Sequence, residues 1–155
     1  INKNRSEYKG TDIMLKAAQA ILKKYPEKVE LRIAENIPFK EYVEMMNGSD
    51  AILDQLYSYT PSMNPLEAMA RGIICVGGGE PENYKIIHED KLKPIINVQP
   101  CYESVYEELE RLVLHPELIP QLRKDSIGYV NKHHEYIKVA RSYEQFYQKI
   151  LGTHE

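Results

Sequence analysis

The stretch PLEAMARGIICVGGG, residues 65–79, sets the tightest limit on how this chain can fold. Its first half is rich in small and straight-chain residues and reads as a helix. Ile73, Ile74, Cys75 and Val76 then make a continuous apolar run. Such a run has no polar side to turn to water, so it suits a strand covered on both faces, as strands of parallel sheets are. Gly77, Gly78 and Gly79 follow at once, and glycines in that place permit positive φ and a close approach by whatever lies above them. Two readings stay open there: a ligand approaches the backbone, or the chain itself does, in a tight strand-to-helix turn.

Other segments repeat the pattern. Ile13, Ala17, Ile21 and Tyr25, with Met14, Ala18 and Leu22, predict a helix ended by Pro26. A strand is expected over 29–34 (VELRIA), a helix over 39–47 stopped by Gly48, and a strand over 51–53. Asn64 and Pro65 read as helix cap and first helical residue, with Glu67 in the same first turn. Residues 82–88 predict a short helix and 94–98 (PIINV) another buried strand. From Tyr102 onward the periodicity is helical. The alternation implies right-handed crossovers and a Rossmann-like, doubly wound parallel sheet with helices on both faces, ending in C-terminal helices. Ligands of such sheets sit beyond the carboxyl ends of the strands, so the loops at 35–38, 54–63 and 77–82 are the ones to watch.

At 155 residues the chain is expected to be one domain, over 1–155. It is 28% charged with a net charge of -3, and Lys and Arg are interspersed with Asp and Glu, which argues against a nucleic-acid partner. Two cysteines, one of them inside the apolar run, make no disulfide framework and suit a reducing compartment. With no apolar run long enough to span a bilayer, the expectation is a cytoplasmic protein, free or at the inner face of a membrane. The chain opens at Ile1 in a polar stretch, so we expect it to be a piece of a longer protein.

Chemistry-bearing clusters are few. A helix starting beyond the strand at 51–53 would aim positive partial charge into the crevice, where a phosphate can be held. Glu67 there is equally an acid favoured by the helix dipole. Tyr57 and Tyr59 flank the crevice loop, either to stack on a ligand or to pack against the chain. His133 and His134 are adjacent and read as a surface pair, and no metal site is expected.

The stretch PLEAMARG, the strand IICV and the glycine segment ending in Pro81 and Glu82 resemble the signature of the C-terminal, nucleotide-sugar-binding half of group 1 glycosyltransferases of the GT-B fold. Residues 5–18 (RSEYKGTDIMLKAA) resemble the basic loop, K-G pair and first helix of that family, and residues 37–55 resemble the segment before its donor site. The resemblance implies a retaining transferase whose N-terminal, acceptor-binding domain lies outside this chain, so that the isolated domain is inactive. It implies that Lys9, with Arg5, neutralises the donor diphosphate and stabilises the leaving group, and that Glu67 binds the ribose. It further implies donor contacts from Met63 and Asn64 at the helix start and from Gly78 and Gly79. Tyr59 stands where the family carries the first glutamate of a pair, and Thr60, Pro61 and Ser62 replace its G-F-G; in a divergent subfamily Tyr59, Thr60 or Ser62 would handle the sugar. The nucleotide sugar would be substrate, with no cofactor or metal required, in polysaccharide or glycolipid assembly. Two other classes stand beside this one: a sugar-nucleotide epimerase of the same fold, and a non-catalytic homologue that partners an active transferase.

Overall fold

The computed structural model describes residues 6–152. A short helix α1 (Ser6–Lys9) meets α2 (Thr11–Lys24) at Gly10, and α2 buries Met14, Ala17, Ala18 and Ile21, one face of a helix at i, i+3, i+4 and i+7. Tyr25 caps its end and Pro26 prevents its continuation. Helix α3 (Phe39–Met46), strand β1 (Ala51–Leu53), α4 (Met63–Ala70), β2 (Ile74–Val76) and α5 (Pro81–Ile86) follow. The rest is helical: α6 (Tyr102–Leu114), a 3-10 turn (Pro116–Leu118), α7 (Ile119–His133) and α8 (Tyr136–Leu151).

β1 and β2 pair in parallel with Ala51 opposite Ile74 and Leu53 opposite Val76. On the far side of β2 the 94–98 segment makes a single parallel bridge, Ile96 donating to the Cys75 carbonyl and accepting from Gly77 N–H, both at 2.9 Å. The successive side chains of β2 point to opposite faces. Ile74 and Val76 join Met14, Ala17, Val105 and Leu112 under α2 and α6, whereas Cys75 joins Met69, Tyr84 and Tyr129 under α4, α5 and α7. Helices therefore cover both faces of a buried strand, as the unbroken apolar run anticipates. Cys75 packs there with its thiol 3.3 Å from the Gly77 carbonyl oxygen, while Cys101, at the N-cap of α6, is exposed.

The fold is thus mixed α/β, mostly helical, around a small parallel sheet. Among the described residues the ladder is confined to β1 and β2, and the expected larger sheet is not built. The 94–98 segment contributes one bridge, and 29–34 makes no ladder despite its alternating pattern. The reason lies in Arg32, whose guanidinium pairs with Glu30 at 2.8 Å and donates to the carbonyls of Met45 (3.1 Å) and Asn47 (3.5 Å) at the end of α3. Those bonds tether the segment to α3 and hold it off β1.

Candidate functional site

The K-G pair is fixed at the rim beyond the carboxyl end of β1. Leu56 N–H donates to the Lys9 carbonyl at 2.8 Å, and Gly10, at φ 70, lies so close to Leu56 that a Cβ would meet its side chain at 2.8 Å. Helix α2 begins immediately afterwards, so its N-terminus opens at the same rim.

α4 opens there too. Its N-cap is Ser62, two residues earlier than Asn64, and both the Ser62 N–H and hydroxyl bond the Asp54 carboxylate, at 3.2 and 3.0 Å. The sequence reading missed this because the Asn-Pro signal is local, whereas the acceptor is a buried aspartate on the preceding strand end. Leu66 N–H returns to the Ser62 carbonyl, so the amides of Met63 and Asn64 are the ones left to water or a ligand. Exposed Met63 and Asn64 and half-buried Ser62 line this opening turn. Glu67 consequently sits in the second turn rather than the first.

The Glu67 carboxylate takes the Arg71 guanidinium at 2.9 Å, and Arg71 also reaches the Asn47 side chain at 3.2 Å. Arg71 thus links the Glu67 carboxylate to the end of α3, and the Tyr42 hydroxyl on that helix is pushed up, first by burial and then by the charges of Glu67 and Asp54.

The glycine run is occupied from within. A Cβ at Gly77 (φ 97) would lie 2.3 Å from the Gln55 carbonyl oxygen, one at Gly78 (φ 75) 3.0 Å from that of Thr60, and one at Gly79 2.8 Å from the Ile95 side chain. All three glycines are buried, and the close approach they allow is made by the chain itself, by the 55–60 loop at Gly77 and Gly78 and by Ile95 at Gly79. The Thr60 carbonyl also accepts from Ser58 Oγ (2.9 Å) and Gln55 Nε2 (3.3 Å), which stiffens that loop. Tyr57 and Tyr59 stand out from it, 56% and 66% exposed. Arg5 lies outside the described residues.

A groove of about 1280 Å³ runs from this rim between β1 and the 28–37 segment. Lys9, Thr11, Asp54 and Asn64 line it at the rim; Ile37, Phe39 and Tyr42 line it beside α3; Met14, Ile52 and Leu112 contribute to its apolar floor. It exists because 29–34 is held off β1.

A second cluster went unread in the sequence. Glu89, 2% exposed, accepts from the amides of Lys91 and Leu92 at 3.0 Å and from Lys132 and His133 at the end of α7, His133 Nε2 lying at 2.6 Å. These donors hold its carboxyl well below the usual range, Lys132 most of all. His133 and His134 are therefore not a surface pair: both rings pack on Tyr129, at 5.3 and 5.4 Å. The polar turn HEDK carried the local half of this signal; the partners on α7 lie too far along the chain to be legible.

Among the described residues no group of three or more His, Cys, Asp or Glu is placed to hold a metal ion, and no helix is long and apolar enough to cross a membrane. Comparison with protein-family models, with curated proteins and with solved structures found no match.

Proposed function

We propose that this chain is the nucleotide-sugar-binding half of a retaining glycosyltransferase, with the acceptor-binding domain supplied by the rest of a parent protein. In this reading the small parallel sheet is the centre of a doubly wound one, continued beyond β2 by the 94–98 segment. The observation that carries the proposal is the bond from Leu56 N–H to the Lys9 carbonyl, which sets a lysine on the rim where α2 and α4 begin. Departure of a nucleoside diphosphate builds negative charge on the leaving oxygen, and an ammonium carried on backbone held at that rim, with the two free amides of Met63 and Asn64, stabilises it. Arg5 joins Lys9 in that role by resemblance. Glu67, in the second turn of α4, exchanges Arg71 for the ribose hydroxyls. Ser62, Tyr59 and Thr60 stand nearest the sugar, and Gly78 acts by letting the 55–60 loop pack down to form the wall, Gly79 by letting Ile95 pack beside it.

Calorimetric titration of the chain with UDP and GDP tests this. Lys9→Ala should weaken binding roughly tenfold or more, the scale of one charge-assisted bond, and Glu67→Ala should weaken it by about fivefold. Failure of both nucleotides to bind would end the proposal; equal binding by the Glu67→Ala variant would end the role of that residue. The exposed Tyr59, where the family carries a carboxylate, favours one second reading, a donor-binding homologue without transfer activity. Donor transfer by the parent protein excludes that reading, and epimerised product would instead support the epimerase.

A further inference from the structure

Helix α8 buries none of its residues, although α6 and α7 before it each bury a face. Its ends are nonetheless defined. Glu135 caps the start, accepting from the amides of Ile137 and Lys138 at 3.1 and 3.0 Å, and Gly152 at φ 67 closes the other end. Lys138 Nζ donates to the Asn131 carbonyl at 2.9 Å, which anchors the first turn to α7. Capping fixes where a helix begins and stops, but a helix of 16 residues in water draws most of its stability from packing an apolar face.

That face is present. Tyr136, Val139, Tyr143, Phe146, Tyr147 and Ile150 follow helical spacing and fall on one arc of about 100° with no charged side chain among them. Tyr143, Phe146, Tyr147 and Ile150 are each between 57% and 63% exposed. Tyr147 lies 6.4 Å from the Tyr143 ring and 6.0 Å from that of Phe146, so the rings form one continuous surface. The opposite side is basic. Lys138, Arg141 and Lys149 lie across from the arc, the only acid within 136–151 is Glu144, and the whole chain carries a net charge of -3. Helix α8 is thus a cationic element in an acidic chain.

We propose that α8 lies in the plane of an anionic lipid surface, a proposal independent of the nucleotide reading. The ring-bearing arc enters the boundary between headgroups and acyl chains, and the three cations meet the lipid phosphates. Tyrosine suits that depth, because its ring leaves water while its hydroxyl stays wet. A second copy packed on the same arc would instead bring like-charged flanks together and take the hydroxyls of Tyr136, Tyr143 and Tyr147 out of water. The test is co-sedimentation of the chain with vesicles of phosphatidylcholine alone and of phosphatidylcholine with phosphatidylglycerol, beside sedimentation velocity without lipid. The wild-type chain should bind the phosphatidylglycerol vesicles about tenfold or more tightly than the neutral ones and lose that margin in high salt. Phe146→Ser combined with Ile150→Ser should weaken binding by about tenfold or more, and Lys138→Gln combined with Lys149→Gln should do so on the anionic vesicles alone. All four side chains stand in water, so both variants should keep the wild-type thermal midpoint. Equal binding to the two vesicle types, or anionic binding unmoved by the Phe146 and Ile150 changes, overturns the proposal. Absence of vesicle binding overturns it too: a dimer dissociated by those same changes then gives the face to a second copy, and a monomer leaves it to a partner protein.

Discussion

At Gly77 a single methyl group would stand 2.3 Å from the Gln55 carbonyl oxygen, on a backbone at φ 97 that side chains avoid. Both penalties act at the same carbon, and the atom nearest it is a backbone carbonyl oxygen rather than a flexible side-chain end. Gly77→Ala should therefore lower the unfolding free energy by about 3 kcal/mol or more, whereas Gly48→Ala, at φ 85 with open space around it, should cost about 1–2 kcal/mol. Urea denaturation of the two variants checks this, and similar midpoints would contradict it. The need for glycine was legible in the sequence. What approached the glycine was not, because Gln55 and Thr60 belong to a loop whose path depends on Lys9, far upstream.

At the level of elements, α4 is the piece that three separate segments position. Asp54, 7% exposed at the end of β1, supplies the acceptor for the first turn, and Asp54→Ala removes it while leaving Ser62 buried in part and unpaired. A loss of about 1–2 kcal/mol is expected, read as a lower thermal midpoint, with Asp54→Asn recovering part of it. A stability equal to wild type would mean that water replaces the carboxylate without cost. Helices α2, α4, α6 and α7 and the buried strand β2 follow from periodicity, which is a local property. The ends of α4 and the fate of 29–34 do not, since Ser62 answers to Asp54 and the alternating VELRIA pattern answers to an arginine held by α3. A pattern of period two says which residues share a face; it does not say that the partner edge is within reach. Around the rim the Lys9-Gly10 pair was legible as a motif, whereas the cap of α4 at Ser62 and the groove became visible only with the bond to Asp54 and the gap beside β1.

The molecule as a whole should be sensitive to acid in two stages. His134 is held toward its neutral form, first by burial and then by the charge of His133, so the unfolded chain takes that proton more readily than the folded one. Stability from this source is complete above pH 6.5 and declines as the pH falls below it. Glu89 is held well below its ordinary 4.5, so its contribution is complete above that value and is lost on further acidification. Melting curves from pH 8 to 3 should fall in these two windows; His134→Gln should flatten the upper one and Glu89→Gln the lower, and a wild-type profile flat through both would refute the assignment. The two cysteines lead to a different use of the same architecture. Cys75 is sealed in the core, its thiol pushed up by burial and by Asp54, whereas Cys101 is open at the edge where the 94–98 segment leaves the sheet alongside β2. A maleimide dye would consequently attach at one place without any engineering, and labelling of Cys75 would begin only when the core opens, so the second label reports unfolding.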